Sequence, residues 1–145
     1  MFSSNTSQVS ADANWIEECF STTLYTGNGS TQTITNGIDL STKGGLVWLK
    51  NRNSTQLHWL FDTVRGKDSP LSSTNTDSVA TNVSNYFGGS NLCVFNSDGF
   101  TVNGAQAQLG TNGNTYVSWT FRKQPKFFDV VTYTGDGDNS STRLI

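Results

Sequence analysis

Charge is scarce in this chain: nine Lys and Arg face eleven Asp and Glu over 145 residues, for a formal net charge of -2. A nucleic-acid partner needs a basic face that displaces counterions from phosphates, so no nucleic acid is expected. Long apolar runs are absent too. No stretch approaches the 18 or so apolar residues of a membrane span, so membrane insertion is not expected. The first twenty residues are polar and lack the charged and then apolar blocks of a secretion signal, which predicts a chain made in the cytosol. Two cysteines, Cys19 and Cys93, stand far apart and outside any metal-ligand spacing. They are expected as free buried thiols, with a single bridge as the alternative. No cofactor or metal is expected.

What is abundant is Ser, Thr, Asn and Gly, together close to half the chain, with 12% aromatic residues. Low hydrophobicity without high net charge argues against disorder, and Thr, Val, Tyr, Phe and Trp suit a pleated surface. The length fits one domain able to bury its own core.

One stretch recurs. FSTTLYTGNG at Phe20–Gly29 returns as FDVVTYTGDG at Phe128–Gly137, identical at the Phe, the Tyr-Thr pair and both glycines. This divides the chain into a Ser/Asn/Thr-rich arm at 1–14, a folded domain at 15–126, and, at 127–145, the start of a second repeat or a linker strand. The restart favours material cut from a longer protein over a last strand that returns to the first sheet.

Within 15–126 the pattern is of short strands. Trp15–Phe20 has helical spacing for a single turn, and Gly27-Asn28-Gly29 marks a hairpin or tight corner. Leu46–Asn51 is apolar on both faces, as in a central sandwich strand, and pairs with Gln56–Val64. Lys67–Gly89 is a long segment without period. Leu92–Phe95 turns at Asn96–Gly99 into Phe100–Val102, and Thr115–Phe121 alternates Val117, Trp119 and Phe121 against Tyr116, Ser118 and Thr120. Trp48 and Trp119 are expected in the core. With no helix beyond one turn, the fold class is all-β: an antiparallel β-sandwich of jelly-roll type.

Catalytic constellations are thin. Glycoside hydrolysis needs two carboxylates about 5 to 10 Å apart. The only glutamates, Glu17 and Glu18, are adjacent; Asp62, Asp68, Asp77 and Asp98 would have to pair in space. His58, the sole histidine, has no nucleophile elbow beside it. Asp136–Asn139 lacks the glycine and glutamate that close a calcium loop. An enzyme is not expected. Carbohydrate binding needs exposed aromatic faces beside polar groups. The candidate ligand set is Trp59, Tyr86 and Phe87 with His58, Asp62 and Arg65.

GGLVWLKNRNS, LFDTVRG, LSSTNT, FNSDGFTV, NGNTYVSWTF and RKQPKFFDVVTYTGDG, in that order, resemble a domain of bacteriophage tail and tail-fibre proteins, particularly of marine phages. The resemblance implies a concanavalin- or SPRY-like sandwich followed by further domains. It also implies a place in the virion tail after assembly in the host cytoplasm, other virion tail proteins as partners, and host attachment; with the aromatic and polar set above, a host-surface glycan is the candidate ligand, a purely structural virion connector or decoration protein is the alternative, and a polysaccharide depolymerase is the less expected one. Fibres of this kind suit a homotrimer.

Overall fold

In the computed structural model, residues 16–76 and 87–135 are described. The 1–14 arm, Asp77, Tyr86 and the Asp136–Asn139 turn therefore lie outside the described residues. One helical turn, α1 (Ile16–Cys19), leads into β1 (Phe20–Thr26). There follow β2 (Thr31–Thr35), β3 (Gly45–Asn51), β4 (Trp59–Asp62), the two-residue β5 (Leu71–Ser72), β6 (Cys93–Asn96) and β7 (Gly99–Asn103). A second single turn, α2 (Ala107–Gly110), precedes β8 (Thr115–Arg122). No helix among the described residues is long and apolar enough to cross a membrane.

The strands form two antiparallel sheets: a five-stranded one in the order β1-β8-β3-β4-β5 and a three-stranded one in the order β2-β7-β6. The fold is an all-β sandwich, as the strand pattern predicts. β3 and β4 pair as expected, Val47 opposite Phe61. β6 and β7 form a tight hairpin closed by Asn96 opposite Gly99. Gly27–Ser30 is a corner rather than a hairpin, since β1 and β2 belong to different sheets.

That corner depends on glycine. The Gly27 N–H donates to the Asn114 carbonyl at 2.8 Å, and the Gly29 N–H to the Gly110 carbonyl at 2.8 Å. A β-carbon on Gly27 would lie 2.4 Å from the Thr111 carbonyl oxygen, and one on Gly104 2.0 Å from that of Ser30. Backbone meets backbone there, with no room for side chains.

The core lies between the sheets. Val47, Leu49, Trp59 and Phe61 of the larger sheet pack against Ile34, Cys93, Phe100 and Val102 of the smaller one, with Ile38, Leu40, Phe87, Leu92 and Leu109 from the connections. Both cysteines are free and buried.

β8 corrects one expectation. Its inward side is the polar one: Tyr116, Ser118 and Thr120 are fully buried, while Trp119 and Phe121 are half-buried on the side away from the core. Trp48, opposite Trp119 in the ladder, faces outward with it. The reason is that the inner hydroxyls have fixed partners. The Thr111 N–H donates to the Tyr116 hydroxyl at 2.9 Å, and the Asn36 amide donates to Thr120 Oγ1 at 2.9 Å. The Tyr116 hydroxyl also donates to the Ala107 carbonyl at 3.3 Å. Satisfied in this way, buried hydroxyls cost little and tie the connections to the sheet.

Candidate functional site

Among the described residues, those expected to hold a ligand do not form one surface. Trp59 is 3% and Phe87 2% exposed; their rings meet edge to face, 4.9 Å apart, inside the core. Neither offers a ring face to a sugar. The cause is strand parity: Trp59 and Phe61 share the inner side of β4, and Leu60 takes the outer one. Asp62 is fully buried at the end of β4, where Oδ1 accepts from the N–H groups of Val64 and Arg65 at 3.0 and 2.8 Å. Its other oxygen pairs with the Arg65 guanidinium. This pair closes the turn through Gly66, whose φ is +95°. Asp68 likewise accepts from the Leu92 N–H, at 2.9 Å, and Asp98 is exposed on the β6–β7 turn. No group of three or more His, Cys, Asp or Glu able to hold a metal occurs among the described residues.

Among the described members of the set His58 and Arg65 reach the surface; Arg65 is engaged with Asp62, and His58 is the one beside an aromatic face. It is half-buried, with its ring 6.4 Å from that of Trp48. Partial burial, and after it the charge of Lys50, lower its pKa below the ordinary 6.5. The folded protein therefore binds this proton less readily than the unfolded chain. The His58 contribution is constant above pH 6.5 and stability falls as the pH drops through that value. Thermal melts of wild type and His58→Gln over this range should converge above pH 7 and diverge below 6.5, with the variant less sensitive to acid.

Around His58 lies a surface that hydropathy alone assigns to the interior. On the outer side of the larger sheet, Trp48 and Trp119 sit in tilted contact with centroids 5.2 Å apart. Phe20 meets Phe121 at 4.9 Å, and Phe128 stacks on Phe121 at 5.0 Å. Leu24, on the edge strand β1, is 61% exposed. The register places Phe20, Phe121 and Leu46 in one row and Thr22, Trp119, Trp48 and Leu60 in the next. Outer faces of antiparallel sheets are ordinarily polar. This one is aromatic, rimmed by Lys50 and His58.

One end of the sandwich carries an open cleft of about 650 Å³ lined by Leu40, Lys43, Thr63, Lys67, Phe95 and Lys123. Its lysines have acidic neighbours: Lys67 pairs with Asp68 at 3.4 Å and Lys123 with Asp129 at 3.0 Å, while Lys43 acts on Asp39 through space. The cleft is charge-compensated, and the aromatic face is the stronger candidate.

The chain belongs to the family described as a domain of unknown function, DUF7483, whose profile matches residues 17–144. No curated protein and no solved structure matches it significantly.

Proposed function

We propose that this chain is a β-sandwich module of a bacteriophage tail or tail-fibre protein, anchoring or presenting neighbouring domains for host attachment. It acts by contact rather than by catalysis. The observation that carries this reading is the outward pairing of Trp48 with Trp119. Contiguous apolar surface of this kind marks protein contact sites, and aromatic residues are enriched in their cores. Sequence supports the same reading, since Trp48, Trp119 and Phe128 each lie in a block that resembles phage tail domains: GGLVWLKNRNS, NGNTYVSWTF and RKQPKFFDVVTYTGDG. The partner is another virion tail protein.

A second reading has one observation in its favour. His58 and Lys50 beside the Trp48 ring supply polar groups next to an aromatic face, the combination a host-surface glycan requires. Trp48 and Trp119 then replace Trp59 and Phe87 as the sugar platform.

Proteomics and cross-linking of purified particles test the proposal. Peptides of this chain are expected at constant stoichiometry, with cross-links from Lys50 to another tail protein. Absence of the chain from particles refutes a virion role. Presence without such cross-links, together with glycan-array binding lost in Trp48→Ala, favours the glycan reading.

A further inference from the structure

At the cleft on the end of the sandwich, both sheets contribute to one lining. Val94 and Phe95 come from the smaller sheet, Thr63 and Val64 from the turn after β4, and Leu40 from the connection between β2 and β3. Its volume of about 650 Å³ lies in the range of small-molecule sites, which combine an apolar lining with a few placed polar groups. Val64 supplies an apolar wall that is 51% exposed.

Three lysines line the cleft, and main-chain bonds fix where each side chain starts. The Lys123 N–H donates to the Gly44 carbonyl at 2.8 Å, which joins the end of β8 to the start of β3. The Lys67 carbonyl accepts from the Cys93 N–H at 3.2 Å. Lys43 sits in a turn closed by the Gly44 N–H on the Leu40 carbonyl, at 3.0 Å.

Among the described residues, no carboxylate lines this cleft. The acids that balance the lysines stand outside it, and each is held by a main-chain N–H: Asp39 by Thr42 at 3.0 Å, Asp68 by Leu92 at 2.9 Å and Asp129 by Val130 at 2.8 Å. The carboxylates are anchored, so the ammonium groups are the movable partners. Lys67–Asp68 and Lys123–Asp129 are exposed pairs, which contribute little and exchange readily. Lys67 also donates to the Asn91 side-chain oxygen, and Lys43 has no ion pair among the described residues.

We infer that this cleft binds a small anionic sugar, its carboxylate or phosphate held by Lys43, Lys67 and Lys123 and its ring set against Val64 and Phe95. The hydroxyl oxygens of Ser41 and Thr42 border the same space and can accept from sugar hydroxyls. Three ammonium groups around one opening suit a single compact anion. A nucleic acid needs a basic stripe along its backbone, which a chain of net charge -2 does not offer. The site is separate from Trp48 and Trp119, neither of which lines it.

Calorimetric titration of the full chain with glucuronate, a glucose phosphate and neutral glucose, at matched ionic strength, tests this. Both anionic sugars should bind and glucose should not, and the tighter of the two shows which anion the lysines prefer. Lys43→Gln and Lys67→Gln should each weaken binding about tenfold, the scale of one hydrogen bond to a charged group. Lys126→Gln, outside the cleft, should leave it unchanged. All three lysines are exposed, so the variants should keep the melting temperature of the wild type. The inference is overturned if neither anionic sugar binds, or if glucose binds as well as they do. It also fails if Lys126→Gln weakens binding as much as Lys43→Gln, which would mean general charge attraction. Binding that survives Lys43→Gln but is lost in Trp48→Ala overturns it too, because the sugar would then lie on the aromatic face.

Discussion

Gly104→Ala should destabilise the sandwich by on the order of 3 kcal/mol, although it adds one methyl group at a backbone angle open to any residue. The added carbon would lie 2.0 Å from the Ser30 carbonyl oxygen and about 3 Å from two further backbone atoms. None of these is the end of a flexible side chain. Relief requires moving the corner between β1 and β2, and that corner is tied through Gly27 and Gly29 to Asn114 and Gly110. Gly88→Ala is the matched control: a β-carbon there meets nothing within 4 Å, and the change should stay within about 0.5 kcal/mol. At roughly 3 °C per kcal/mol for a chain of this size, differential scanning calorimetry should separate the two variants by close to 10 °C.

The second large effect concerns the tryptophans. Trp59→Ala should cost about 3 to 5 kcal/mol, because a large ring leaves a cavity among Phe61, Phe87 and Leu49 that a close-packed interior refills only in part. Trp119→Ala, on the outer side, should cost about 1 to 2 kcal/mol, since its ring already borders water on one side. Chemical denaturation of the two variants decides between this arrangement and the opposite one suggested by hydropathy. Equal losses would mean that both tryptophans are interior.

That contrast shows where the chain's pattern can be read and where it cannot. Period-two alternation located β3, β6, β7 and β8 to within a residue or two and overextended β4, read as Gln56–Val64 against Trp59–Asp62, and Asn96–Gly99 announced its hairpin. Alternation leaves open which side of a strand faces the core. On β8 the usual guess points the wrong way, because Ser118 and Thr120 are interior, opposite Leu49 and Val47, and their neighbour Tyr116 spends its hydroxyl on a connection. The ladder supplies that information, through pairings distant in sequence. The placing of Trp59 in the candidate site misread parity in the same way. Trp59, chosen as a sugar platform, shares the parity of Phe61, whereas Trp48, set aside as core, shares the outer side with Trp119. Gly27-Asn28-Gly29 announced a change of direction, but only the packing of Gly27 against Gly110 makes it a passage between sheets.

The pairing of the first strand with the last has a mechanical consequence. Phe20, where β1 begins, lies opposite Phe121, one residue before β8 ends. Tension drawn through the two ends of the sandwich therefore loads the β1–β8 ladder from one end. Its hydrogen bonds part in succession, like a zipper, instead of sharing the load in shear. A ladder loaded in this way should yield at low force and pay out length from its first strand, which stretching single molecules by their two ends would measure.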